Sequence, residues 1–201
     1  RKEEFPSVEV KPIAFSPSEL SIKDWQFLMN AVGNSSDYIN ELNIMMEELE
    51  DEGTFTLENF KEKIENSNLL SNRDKSLALR RIRFAAKFVK DEGLIRDLLF
   101  PSRLLIIDLR DEFIHKDQAL GLFVIMLNIF SGVTEKEGYP FNKFIVFDEA
   151  HKYMNNKNLT NSIVSAIREM RHKGVSIMIA SQDPPSLPNE IIELSTVVIS
   201  H

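Results

Sequence analysis

Residues 144–151 read FIVFDEAH: four β-branched or aromatic residues running directly into two adjacent carboxylates, Asp148 and Glu149. A short continuous apolar run of this kind is a buried strand. Two acids delivered at the carboxyl end of such a strand suit nucleotide hydrolysis. One carboxylate holds Mg²⁺ through its water shell, and the second orients or deprotonates the attacking water. Neighbouring residues can divide these tasks because their side chains diverge. The same two acids also fit the start of a helix, where the backbone dipole favours negative charge.

Downstream, residues 159–173 are amphipathic, with Ile163, Ala166, Ile167 and Met170 on one face, and Gly174 stops the helix. A second apolar run, VSIMIA at 175–180, leads into Ser181 and Gln182 and is broken by Pro184 and Pro185. In a parallel sheet Gln182 faces the crevice that holds Asp148 and Glu149, where a neutral amide senses a phosphate or positions a water. The competing reading is a polar turn at a strand end. Further apolar runs at 103–110 (RLLIIDLR) and 197–200, with a strongly apolar helix-length stretch at 118–130, complete an alternation of strands and helices. That alternation predicts an α/β fold whose parallel sheet is covered on both faces and carries ligands at its strands' carboxyl ends. Asp108 ends the 103–110 strand without a second acid beside it, so it belongs to a neighbouring strand.

Upstream the texture is helical. Ile39, Leu42, Met45, Met46 and Leu49 follow helical spacing, and Gly53 is a stop. Thr56 opens a helix carrying Phe60 and Ile64; Asn72 or Ser76 opens another that runs to about residue 90; Ser18 or Ser21 caps a helix bearing Leu20, Trp25, Phe27 and Leu28. Residues 8–15 read as a strand that Pro12 pushes to a sheet edge or makes irregular. The expected organisation is an edge strand or irregular start at 1–17, a helical insertion at 18–97, and a sheet-bearing core at 98–201.

The chain of 201 residues carries a net charge of −7, with 43% apolar and 27% charged residues and no cysteine. That composition is ordinary for a globular protein and excludes disulfides and thiolate metal sites. No apolar run reaches the roughly 20 residues that span a bilayer. The charge is uneven. Residues 1–72 hold 6 basic and 15 acidic residues, 73–97 hold 8 and 4, and 98–201 hold 10 and 12. In the basic stretch Arg80, Arg83, Lys87 and Lys90 form one stripe at helical spacing. It reads either as a solvated face paired with the acidic helices or as a contact for DNA phosphates or a partner subunit. The four histidines lack the spacing of a zinc site. Arg168 and Arg171 stand near the end of the helix before Gly174. Basic residues are ordinary there, and an arginine offered across a subunit boundary to a phosphate is the sharper reading.

Taken in order, FIVFDEAHKYM, a helix ending REMRHKG, VSIMIASQDPPSLP and STVVISH resemble the second half of the HerA/FtsK-type ATPase core, the HerA-like proteins in particular. Their corresponding stretches read like DEAH, REGRKFG and ATQRPS. The resemblance covers residues 103–201 and is absent over 18–97. It implies a partial RecA-like, P-loop NTPase sheet flanked by helices with an inserted helical subdomain. It also implies a hexameric ring around double-stranded DNA, ATP and Mg²⁺ at subunit interfaces, a partner such as a nuclease, and a cytoplasmic location. By this resemblance Asp148 is the Mg²⁺-side Walker B acid, Glu149 the catalytic base, Gln182 the sensor, and Arg171 or Arg168 the finger acting in trans. Two departures stand out. Asp183 occupies a position where the family has arginine, and none of the seven glycines belongs to a G-x-x-x-x-G-K-[ST] phosphate loop. The chain is therefore expected to be a piece of a longer protein whose phosphate loop lies upstream, weak in ATP binding by itself. The DEAH tetrapeptide also occurs in superfamily-two helicases, which place Ser-Ala-Thr on the next strand where this chain has Ala-Ser-Gln. A third reading is a non-catalytic interaction module on a decayed ATPase fold.

Overall fold

The structure is a computed structural model that describes residues 6–32, 36–90, 94–109, 114–133, 141–152, 161, 164–165, 167–169 and 173–199. Local sequence signals set the first helices. Ser21 begins α1 (Ile22–Leu28): its Oγ accepts the Asp24 N–H at 3.3 Å and donates to Asp24 Oδ2 at 2.7 Å. Thr56 caps α3 (Leu57–Asn66) and Ser71 caps α4 (Asn72–Ala85), each hydroxyl oxygen accepting the N–H three residues on. Between α1 and α3, α2 (Asp37–Asp51) buries all five of the apolar residues spaced for one face. Gly53, at φ +67°, turns the chain out of α2 in the left-handed region that glycine tolerates best. The basic stretch after Ser71 is helical only as far as Ala85, with Lys87 in the turn beyond.

α5 (Lys116–Gly132) is apolar nearly all round, and Ala119, Leu120, Leu122, Val124, Ile125, Met126, Leu127 and Phe130 are all buried. A helix of that composition has to be covered on several sides. On one side it meets α1 closely enough that a Cβ at Gly121 would lie 3.1 Å from the Phe27 carbonyl oxygen. Nearby, Asn128 Nδ2 donates to the buried Asp24 carboxylate at 3.3 Å. On another side Phe123 stacks on Phe147 with ring centroids 4.1 Å apart, and Leu127 packs with Val175, Ile145 and Ile177.

The sheet consists of β1 (Lys143–Phe147) and β2 (Val175–Ile179), parallel and in register from Lys143 opposite Val175 to Phe147 opposite Ile179. Parallel neighbours need a crossover, and helical backbone is present in it at 161, 164–165 and 167–169. A short α6 (Asn189–Leu194) follows and buries Ile191. The chain is thus a mixed helix and strand protein with a small parallel sheet flanked by helices. Among the described residues no helix is long and apolar enough to cross a membrane.

Two strand expectations are corrected: residues 103–109 and 197–199 form no strand. Residues 8–15 take the irregular alternative, in which Phe15 alone pairs, in an isolated parallel bridge to Val89. Apolar character is a local property, whereas a strand exists only where a second backbone accepts its hydrogen bonds. None of the described residues pairs with 103–109 or 197–199 in that way. Among the described residues the sheet is also not covered on both faces. Side chains alternate along a strand, and the face away from α5 leaves Phe144 at 67%, Val146 at 52% and Met178 at 51% exposure.

Lys143 opens β1 from a buried position. Its Nζ donates to the Ser131 carbonyl oxygen at 3.3 Å and lies 4.7 Å from the centre of the Phe141 ring. Burial, with the Lys173 charge as a lesser cause, pulls its pKa below the ordinary lysine value.

Two outcomes follow from this packing. Gly121→Ala should destabilise the chain by about 1–3 kcal/mol, because the new methyl presses on backbone rather than on a flexible side chain. Urea unfolding measures this, and an unchanged midpoint would remove the α1–α5 close approach as a constraint. For Lys143, the native state releases its proton at lower pH than the unfolded chain does. Between the native pKa and about 10.5 the unfolded state binds more protons, so wild-type stability should rise with pH relative to Lys143→Met. Paired melts across that alkaline range test the sign.

Candidate active site at the strand ends

The carboxyl end of β1 and the residues after β2 converge. The Ala180 N–H donates to the Phe147 carbonyl at 2.9 Å and the Ala150 N–H to the Ala180 carbonyl at 3.0 Å, so the ladder persists one step past both strands. Asp148, Glu149, Ser181 and Gln182 are thereby held beside one another.

Glu149 lies at the centre of the cluster. Its Oε1 accepts a hydrogen bond from Gln182 Nε2, with Lys152 Nζ 3.8 Å away. Its Oε2 is buried and receives no hydrogen bond among the described residues, yet His151 Nδ1 is 3.3 Å distant. His151 Nδ1 is also 3.3 Å from Ser181 Oγ. A proton on Nδ1 makes the imidazole attract the carboxylate; a bare lone pair there would repel it. The backbone of Glu149 is left-handed, at φ 53°, an uncommon and costly state for a residue with a Cβ. Asp148 is exposed, and its Oδ1 accepts the Glu149 N–H at 3.0 Å.

The residues singled out in the sequence divide into three groups. Glu149 and Gln182, 33 positions apart, are in direct contact, with Asp148 adjoining. Arg168 lies on the crossover's helical backbone and is exposed to solvent rather than joined to this cluster. Arg171 lies outside the described residues. His151 and Ser181 join the site as a pair that spacing alone does not connect. The only signal for them is position: His151 follows the acid pair by two residues, and Ser181 immediately precedes Gln182. Asp183 is exposed, and its N–H donates to Ser181 Oγ at 3.1 Å.

Chemically the cluster is a carboxylate held by an amide and flanked by an imidazole, with a second, accessible carboxylate beside it. No three His, Cys, Asp or Glu residues group as a metal site among the described residues. The exposed Asp148 nonetheless fits a cation bound through water, the usual habit of Mg²⁺. Compared with protein-family models, with curated proteins and with solved structures, the chain returns no match.

The left-handed backbone at Glu149 yields a stability test. Glu149→Gly should be more stable than Glu149→Ala by about 1–2 kcal/mol, since only glycine relaxes there. In a chain of this size that difference is about 2–8 °C in Tm. Equal melting of the two variants would show that the turn is not strained.

Proposed function

We propose that residues 98–201 form the Walker B and sensor portion of a RecA-like ATPase, within a HerA-like motor that hydrolyses ATP to move double-stranded DNA. One observation supports this most: Glu149 and Gln182, widely separated in sequence, touch at the carboxyl ends of two adjacent parallel strands, where α/β sheets carry their ligands. An acid and an amide so placed suit a base that prepares water and a side chain that reports the phosphate.

In this reading Asp148 would hold Mg²⁺ through a water ligand, and the chemistry the ion would supply is positive charge to offset that developing on the phosphates. Glu149 takes the proton of the attacking water through Oε1 or Oε2. Gln182 donates to Glu149 Oε1, so turning its amide toward a phosphate frees that carboxylate oxygen. His151 steadies Oε2. Arg171 or Arg168 completes the site from a neighbouring subunit of a hexameric ring. The phosphate grip comes from residues outside these 201, because no sequence within them forms the glycine-lysine loop. A soluble cytoplasmic motor with a partner such as a nuclease is the setting that this reading favours.

The test is ATP turnover by the full-length protein with and without duplex DNA. Wild type should turn over and be stimulated by DNA. Glu149→Gln should keep nucleotide binding and lose about 100-fold or more in kcat, the scale of a general base. Equal turnover in that variant would remove Glu149 as the base, and absence of turnover in wild type would remove the motor reading.

A further inference from the structure

We propose that the exposed basic face of α4 and the turn after it binds the phosphate backbone of DNA. Arg73, Arg80, Arg83 and Lys87 are spaced 7, 3 and 4 residues apart, which places them along one side of a helix of 3.6 residues per turn. Ala78, Ile82 and Ala85 occupy the opposite side and are buried. All four basic side chains are exposed. The stretch from Arg73 to Lys87 extends about 21 Å at 1.5 Å per residue, over half of the 34–36 Å of a duplex turn.

Acidic helices are close at hand, and the simple expectation is that they neutralise this face. They do not. Lys63 pairs with Glu48, Lys61 with Glu65 and Arg96 with Glu19, while no described carboxylate lies within ion-pair distance of Arg73, Arg80, Arg83 or Lys87. Arg81, one position off the face, behaves differently. It donates to the Met29 and Asn30 carbonyls and to the Tyr38 hydroxyl, and so is spent on structure. Four exposed cations in a row, with no carboxylate beside them among the described residues, on a chain whose net charge is −7, form a local field for a linear polyanion. Beside the row is a cavity of about 260 Å³ lined by Tyr38, Arg80, Arg81, Phe84 and Gln118 among others. Aromatic and guanidinium groups in such a recess suit a sugar or base next to the bound phosphates. The inference rests on the motor reading only for the choice of DNA as the polyanion; the surface itself owes nothing to the nucleotide site.

The experiment is anisotropy of a labelled DNA duplex, and of a single strand of equal length, titrated with the 201-residue chain over a range of salt. Wild type should bind, with log Kobs falling linearly against log salt. The combined Arg80→Glu, Arg83→Glu and Lys87→Glu substitutions should weaken binding more than about tenfold and reduce the duplex slope by about 0.9 for each phosphate no longer neutralised. Arg80→Lys with Arg83→Lys should retain most of the binding, since the charge survives. Weakening confined to the duplex arm assigns the face to double-stranded DNA, and weakening in both arms to the shared backbone. If the Glu variant does not fold by circular dichroism, the corresponding Gln substitutions give the same reading. No binding by wild type, or equal binding and slope in the charge-reversed chain, overturns the proposal. So does a salt-sensitive self-association that the reversal abolishes while the DNA arms stay flat, which would assign the face to a second copy's acidic helices. These variants leave Glu149 and Gln182 in place, so failure here is distinct from failure of ATP hydrolysis.

Discussion

The stacking of Phe123 on Phe147 ties the two halves of the molecule together. α5 is too apolar to tolerate water on most of its circumference. One flank therefore takes the sheet and another takes α1, with Gly121 permitting the close approach to Phe27. α5 thus links the helical unit to the sheet and packs on the sheet's inner face through Phe147, Ile145 and Ile177. Two paired strands hold little stability by themselves, so the acid pair at their ends owes its position to a helix that ends eleven residues before β1 begins.

The same arrangement explains the demanding geometry of Glu149. The ladder carries on through Ala180 and Ala150, fixing the chain on both sides of the turn. The residue between has to bend back sharply, and its left-handed backbone is the result. Strain of this kind persists only where surrounding structure over-determines it. Here the determinants are two backbone hydrogen bonds and the contacts of the Glu149 side chain with Gln182 and His151.

Much of this was legible in the residues, and the limits have physical causes. Thr56, and Ser21 as one of two candidate serines, announce their helices because capping is a matter of three neighbouring residues, whereas the Ser71 cap of α4 lies one residue before the Asn72 or Ser76 opening that the sequence suggested. The five buried positions of α2 follow from helical period alone. KFIVF and VSIMI became strands because each has the other to pair with; RLLIIDL is no less apolar and did not, because pairing depends on distant backbone that no local pattern encodes. The meeting of Glu149 and Gln182 was readable from the rule that parallel strands align their carboxyl ends. The approach of His151 to Ser181 depends on side-chain packing in a turn and was not readable. Nor was the burial of Lys143, since a lysine bordering a strand ordinarily reaches water.

The exposed apolar residues on one face of the sheet have a colloidal consequence. Phe144, Val146 and Met178 form an apolar surface on β-structure, and Leu104, Ile106, Val197, Val198 and Ile199 are exposed as well. Exposed apolar β-surface invites association with other chains as readily as with parts of the same one. Reaching the native state is then a contest between an intramolecular step, indifferent to dilution, and a second-order encounter that grows with every increase in protein concentration. Handling this chain is thus governed by how crowded it is during folding as much as by how stable it is afterwards.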